Sequence, residues 1–128
     1  MTRERYSELG KVILDSAITV HRELGPGLLE SVYQFALLKE FDIRGIRYVQ
    51  KAAVPLFYKG FDTAKYFEID ILVEGEIILE LKAIEIVLPV HEAQLLTYLK
   101  LANKKLGYII NFNVPLLKDG FRRRVLNY

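Results

Sequence analysis

This sequence predicts an α/β fold, a mixed sheet with helices against it, on three observations. Apolar residues recur at helical spacing through the first third of the chain. The middle then shifts towards alternating, strand-type patterning punctuated by turn residues. A further helical stretch separates the last two strand-like runs. A helix that crosses between two strands normally leaves them parallel, whereas hairpins are antiparallel, so the sheet is expected to be mixed.

The elements follow in order. Residues 6–24 read as a helix, with Val12, Ile13, Ala17, Val20 and Leu24 on its apolar side and Gly25-Pro26-Gly27 as its stop. Residues 28–43 read as a second helix carried by Leu29, Val32, Tyr33, Ala36, Leu37 and Phe41, with Gly45 closing it. Residues 47–57 form a strand that Pro55 makes either an edge or a bulged one. Lys59-Gly60 marks a turn. Residues 66–73 and 77–83 are strands joined as a hairpin by Glu74-Gly75-Glu76. Pro89 opens a helix over 90–102 packed by Leu95, Leu96, Leu99 and Leu101. Residues 107–112 are a strand, and the basic tail 118–128 is a short helix or strand. The resulting order is ααβββαβ.

The 128 residues suit one domain, 1–128, and 52% apolar content supplies its core. Neither low hydrophobicity nor high net charge is present, which argues against disorder. A net charge of +2 neither demands nor excludes a nucleic-acid partner. The chain has no cysteine, so disulfides, thiolate zinc sites and cysteine nucleophiles are excluded. The charged start lacks a signal-type apolar run, and no apolar stretch reaches the ~18 residues of a membrane span. The expectation is a soluble, cytoplasmic protein without a membrane partner.

The candidate chemistry sits on the hairpin. With a three-residue loop, Val73 faces Ile77 and Asp70 faces Glu80, and strand alternation adds Lys82 to that face. Ile69, Ile71, Leu79 and Leu81 are expected to point the other way, into apolar packing. A two-residue loop would shift the register by one and break the alignment. Paired carboxylates suit Mg²⁺ or Mn²⁺, which prefer hard oxygen ligands, and the Leu81 carbonyl is a further possible ligand. Such an ion can activate water at a phosphodiester, and Lys82 can orient that water or offset developing charge. Glu80 and Lys82 could instead form an exposed ion pair worth about 0–1 kcal/mol. The apolar run on both sides of the charges argues for a central strand, where charges should be paired or bind metal.

Other residues have two readings. Gln94 and Tyr98 share a helix face, with His91 one turn earlier. Gln94 either hydrogen-bonds a phosphate or water or is an ordinary surface amide. Tyr98 is a substrate contact or a core-edge aromatic with its hydroxyl in water. His91 is a phosphate contact, a ligand or, on its chemistry alone, a surface residue. Glu30 in the first turn of the second helix is favoured there by the helix dipole, and spacing does not say whether it reaches Asp70. Arg122-Arg123-Arg124 and Lys104-Lys105 are the only basic runs, and the plainer reading is a solvated end.

These segments resemble the bacterial GxxExxY family. The resemblance is carried by His21-Arg22-Glu23-Leu24-Gly25-Pro26-Gly27, by Gly27-Leu28-Leu29-Glu30-Ser31-Val32-Tyr33, by Asp70 with Ile71-Leu72-Val73-Glu74, by Glu80-Leu81-Lys82-Ala83, by the run from His91 to Lys100, and by Ile110-Asn111-Phe112-Asn113. That family looks like part of the PD-(D/E)XK nuclease-like superfamily, which implies a restriction-endonuclease-like αβββαβ core. The resemblance implies roles. Glu30 is the acidic residue of the leading helix, Asp70 the metal-binding aspartate, Glu80 and Lys82 the (D/E)XK pair, and Gln94 with Tyr98 a QxxxY element. The metal ligands implied are thus Asp70, Glu80 and Glu30, with Tyr98 and His91 kept as substrate-side candidates. One departure stands out. Glu68 occupies a position where the family often has arginine, and strand alternation would set it beside Asp70.

The expected activity is a Mg²⁺- or Mn²⁺-dependent nuclease acting on DNA more readily than RNA. The alternative is an inactive nuclease-fold module that binds nucleic acid, a protein partner or its own copy as a homo-oligomer.

Overall fold

The computed structural model describes residues 1–128. Its elements are α1 (Arg3–Leu24), α2 (Glu30–Arg44), β1 (Tyr48–Tyr58), β2 (Phe61–Val73), β3 (Ile77–Lys82), α3 (Pro89–Ala102), β4 (Leu106–Asn111), a 3₁₀ turn (Leu117–Gly120) and β5 (Phe121–Val125). The αβββαβ core runs from α2 to β4, with α1 before it and β5 after it. No helix is long and apolar enough to cross a membrane.

The five strands lie in sequence order in one sheet. β1–β2, β2–β3 and β4–β5 pair antiparallel, and β3–β4 pair parallel across the α3 crossover. β3 is central, and its Ile77, Ile78, Leu79 and Leu81 have no exposed surface. On one face α1 and α2 supply Leu9, Ile13, Tyr33, Leu37 and Phe41, which pack on Ile71, Val73, Leu79, Leu81 and Ile110. On the other face Leu95 and Leu99 of α3 cover Ile69, Ile78 and Ile109. Each such aliphatic side chain contributes about 1.5–3 kcal/mol of burial free energy.

Several boundaries differ from expectation for local reasons. α1 starts at Arg3 because the Thr2 side chain accepts a hydrogen bond from the Arg5 amide at 3.1 Å, an N-cap that lies outside the apolar pattern. α2 starts at Glu30, since Leu28 and Leu29 are still extended or irregular and exposed. β2 begins at Phe61, five residues early. Lys59 and Gly60 both have positive φ (48° and 83°), the hairpin-turn combination that keeps β1 and β2 paired to their tips. Pro55 satisfies both of its expected roles, because β1 is an edge strand and its register shifts between Pro55 and Phe57. The tail forms the 3₁₀ turn and then a strand.

One expectation about faces is overturned. Ile69 packs with α3, while Ile71, two residues on, packs with α1 and α2. The alternation slips at Asp70. Its neighbour across β1 is Lys51, whose φ of 52° turns that strand over at the same level, between Gln50↔Ile71 and Ala52↔Ile69. Side chains from both strands therefore change faces where the first candidate carboxylate stands.

α3 approaches β4 closely at Gly107, where an added Cβ would lie 2.8 Å from Leu95 Cδ1 and 3.2 Å from the Ile78 carbonyl. Gly107→Ala is expected to lower stability by about 1–3 kcal/mol in urea unfolding, as overpacking does. An unchanged midpoint would mean that α3 is free to shift outward.

Candidate active site

The hairpin register is the one that the three-residue loop implies. Val73 pairs with Ile77, Leu72 with Ile78 and Ile71 with Leu79. Continuing it sets Asp70 opposite Glu80. Asp70 Oδ2 accepts a 2.8 Å hydrogen bond from the Leu81 amide, which fixes the aspartate across the end of the β2–β3 ladder. Its carboxyl also acts on the Glu80 side chain opposite.

Glu80 is only 6% exposed, and its Oε1 is buried without a hydrogen-bond partner. Burial, then the Asp70 carboxyl, push its pKa up to about 9, against smaller opposing effects of the Asp70 backbone amide and of Lys82. A buried carboxylate beside a second one cannot hold its charge alone, so the pair retains a proton. Lys82 follows on the same strand, half-buried.

Glu30 answers what spacing left open. Its pKa is raised by partial burial and then by Asp70, and lowered by Lys82. The start of α2 therefore stands within the field of the hairpin charges. The preceding loop sets its position. Gly25 and Gly27 have φ of 72° and 95°, a backbone region that disfavours side chains. The buried Tyr33 hydroxyl donates to the Gly25 carbonyl at 2.6 Å and accepts from the Leu28 amide at 3.1 Å. Its ring stacks on Phe112 at 4.6 Å, just beyond β4. Tyr33 is a core residue, as its spacing suggested, and it is also the strut that holds Glu30 in place.

On α3, Tyr98 is half-buried and stacks on Phe67 at 4.2 Å. Burial and then the charges of Glu80 and Asp70 raise its pKa, so its hydroxyl lies within the field of both carboxylates. Gln94 is exposed one turn earlier. His91 has a structural task, since its Nδ1 accepts from the Leu88 amide at 2.9 Å and caps α3.

Two sequence readings are corrected here. Arg122 and Arg124 are not a free solvated end, because both pair with Glu92 on α3 and tie β5 to that helix. Arg123 lies over the Tyr128 ring. Glu68, expected beside Asp70, lies beyond the face switch, is exposed, and contributes to none of the shifts at Glu30, Glu80 or Tyr98. Sequence reasoning also missed the role of Asn111. It is buried, its Oδ1 accepts from the Ile84 and Asn113 amides, and its Nδ2 donates to the Ile84 carbonyl. This pins the chain just after Lys82. A lone amide between Ile110 and Phe112 was the available signal.

No three His, Asp or Glu side chains come together with metal-holding geometry in this arrangement. The donor chemistry nevertheless fits a divalent cation. Glu80 Oε1 is an orphaned buried oxygen next to a second carboxylate, and a cation there would take over the role of the shared proton.

The model of the PD-(D/E)XK nuclease superfamily matches residues 7–124. The chain belongs to that superfamily. No curated protein and no solved structure gives a significant match. PD-(D/E)XK nucleases typically use divalent metal ions and act on nucleic acid, and the mixed sheet with flanking helices is their restriction-endonuclease-like fold.

The proton on the carboxylate pair sets a pH dependence. Glu80 has a folded pKa of about 9 against an ordinary 4.5, so between those values the native state holds a proton that the unfolded chain does not. Stability is then greatest below the lower value and falls as pH rises, with a slope of at most about 1.4 kcal/mol per pH unit. In chelator, Glu80→Gln should be more stable than the parent at pH 8, with the gap narrowing towards pH 5. Parallel stability curves for the two proteins would contradict a protonated Glu80.

Proposed function

We propose that residues 1–128 form one nuclease domain of the GxxExxY kind, which hydrolyses phosphodiester bonds with Mg²⁺ or Mn²⁺ and prefers DNA to RNA. The observation that carries this reading is Glu80, a buried carboxyl with an unpartnered oxygen beside Asp70 on the central strand. The GxxExxY assignment is supported by Gly27 at positive φ, Glu30 near the carboxylates and Tyr33 bracing the loop between them.

Asp70 and Glu80 would hold the ion, with Glu30 assisting. The bound cation would polarise the phosphodiester and lower the pKa of a bound water. Lys82, on the same strand as Glu80, orients the water and offsets negative charge at the phosphate. Gln94, exposed on α3, positions substrate or water. Tyr98 and His91 border the substrate side, His91 through the ring nitrogen that does not cap the helix. The Leu81 amide keeps Asp70 aimed across the strand end while the proton leaves Glu80.

Purified protein incubated with assorted DNAs and RNAs and either metal should cleave, with DNA cut faster. The Glu80→Ala, Lys82→Ala double variant should lose at least about 100-fold in rate, the scale of removing a positioned electrostatic group. Equal cleavage by both proteins would identify a contaminant and end the proposal.

One observation favours the second reading, an inactive module that binds nucleic acid or a protein. Asp70 is engaged with Glu80 and Leu81, and no three-residue metal cluster is assembled. Calorimetric titration with Mn²⁺ separates the two. The nuclease reading expects binding that Glu80→Ala abolishes, and no heat at millimolar metal would favour the module.

A further inference from the structure

One feature the nuclease reading does not use is a cavity of about 370 Å³ between α2 and β1. Its lining includes Gln34, Phe35, Lys39, Tyr48, Gln50 and Lys51. That volume falls within the range of small-ligand sites, roughly 300–1,000 Å³. The buried Leu38 lies on its inner side.

Two lining residues are tied to the carboxylates by sequence and register. Gln34 is one helical turn from Glu30. Gln50 pairs with Ile71 and Ala52 with Ile69, which sets Lys51 across from Asp70. Lys51 has a φ of 52°, an unfavourable backbone for a lysine, and it is held at the level where the strands change faces.

The lining combines an exposed aromatic ring, two lysines and two side-chain amides. Phe35 is 65% exposed, an unusual position for a phenyl ring on a helix that buries Tyr33, Leu37, Leu38 and Phe41. The Lys39 ammonium lies over it, 5.3 Å from the ring centroid. Neither Lys39 nor Lys51 has a carboxylate within ion-pair distance, since every salt bridge in the protein uses arginine. The one acid in the lining, Asp42, accepts a 2.7 Å hydrogen bond from the Tyr48 hydroxyl. Gln34 and Gln50 each offer an amide donor and acceptor, the pair of functions that reads a base edge.

We propose that this cavity binds an unpaired nucleotide next to the scissile phosphate, so that the site takes single-stranded nucleic acid or a frayed end in preference to intact duplex. A base would stack on Phe35 and displace Lys39 towards a phosphate, Lys51 would hold the phosphate nearer Asp70, and the two glutamines would meet the base edge. A duplex keeps its bases stacked on each other and has none free for the ring. The proposal rests on the nuclease reading for the position of the scissile phosphate, but its binding claim stands apart from turnover.

The test is fluorescence anisotropy in chelator, with a labelled 15-nucleotide oligothymidylate and a labelled duplex of the same length. Phe35→Ala should weaken single-strand binding by roughly tenfold. The Lys39→Ala, Lys51→Ala double variant should weaken it similarly and reduce its salt dependence. Duplex affinity should stay within about twofold in both, and Phe35→Trp should restore single-strand binding, which a folding defect would not allow. Unchanged single-strand affinity in the variants, equal loss on duplex, or a parent that binds no single strand would each overturn the proposal. Cleavage assays run alongside keep the two ideas apart. Cleavage with single-strand affinity insensitive to Phe35 removes only the cavity, and Phe35-dependent binding without cleavage removes only the nuclease reading.

Discussion

The contact between Asp70 and Glu80 is the constraint around which the site is organised. It brings two acidic side chains together at the end of the β2–β3 ladder, one of them almost wholly out of water. That arrangement costs free energy unless a proton or a cation shares it. The surrounding structure holds it in place. Leu81 donates from below, Tyr33 braces the approach of Glu30, and Asn111 clamps the chain after Lys82. The apolar residues of β3 prevent the strand from sliding to relieve the strain, because a slip of one residue would bury Glu80 and Lys82 in the α1–α2 core.

The division of labour between helices follows from this. α1 and α2 build the thicker core and deliver one acid from a helix start. α3 packs the opposite face with Leu95 and Leu99 and lends Tyr98 to the edge of the site. Glu92 then fastens α3 to the outer strand through two arginines. The residues of the candidate site come from four elements, α2, β2, β3 and α3.

How far the sequence could foretell this depended on range. Hairpin register was legible because the loop length and the side-chain period are local, so Asp70, Glu80 and Lys82 could be aligned before any tertiary contact was known. Gly45 and Pro89 marked helix ends for equally local reasons. Glu30 was different, because its approach to Asp70 depends on a loop geometry that Tyr33 enforces from the core. The face of Ile69 and the remoteness of Glu68 were illegible because strand alternation was assumed to continue through Asp70, where Lys51 turns β1 over. The arginine run was misread since its partner, Glu92, lies a crossover away. His91 looked like a surface residue, and its capping bond to Leu88 became visible only with the backbone in place.

The two borders of the sheet carry a consequence for assembly. β1 presents Pro55, which has no amide hydrogen, along with a register shift and the turned-over Lys51. β5 is short and carries three arginines in a row. Neither border offers the long, flat row of unpaired amides and carbonyls that an incoming strand needs, so the sheet resists being extended by another chain. Self-association of this protein, if it is used, has to proceed through side-chain surfaces. The fold can thus expose aromatic residues at the β1–β2 tip, Tyr58 and Phe61 among them, without inviting fibrous growth from its edges.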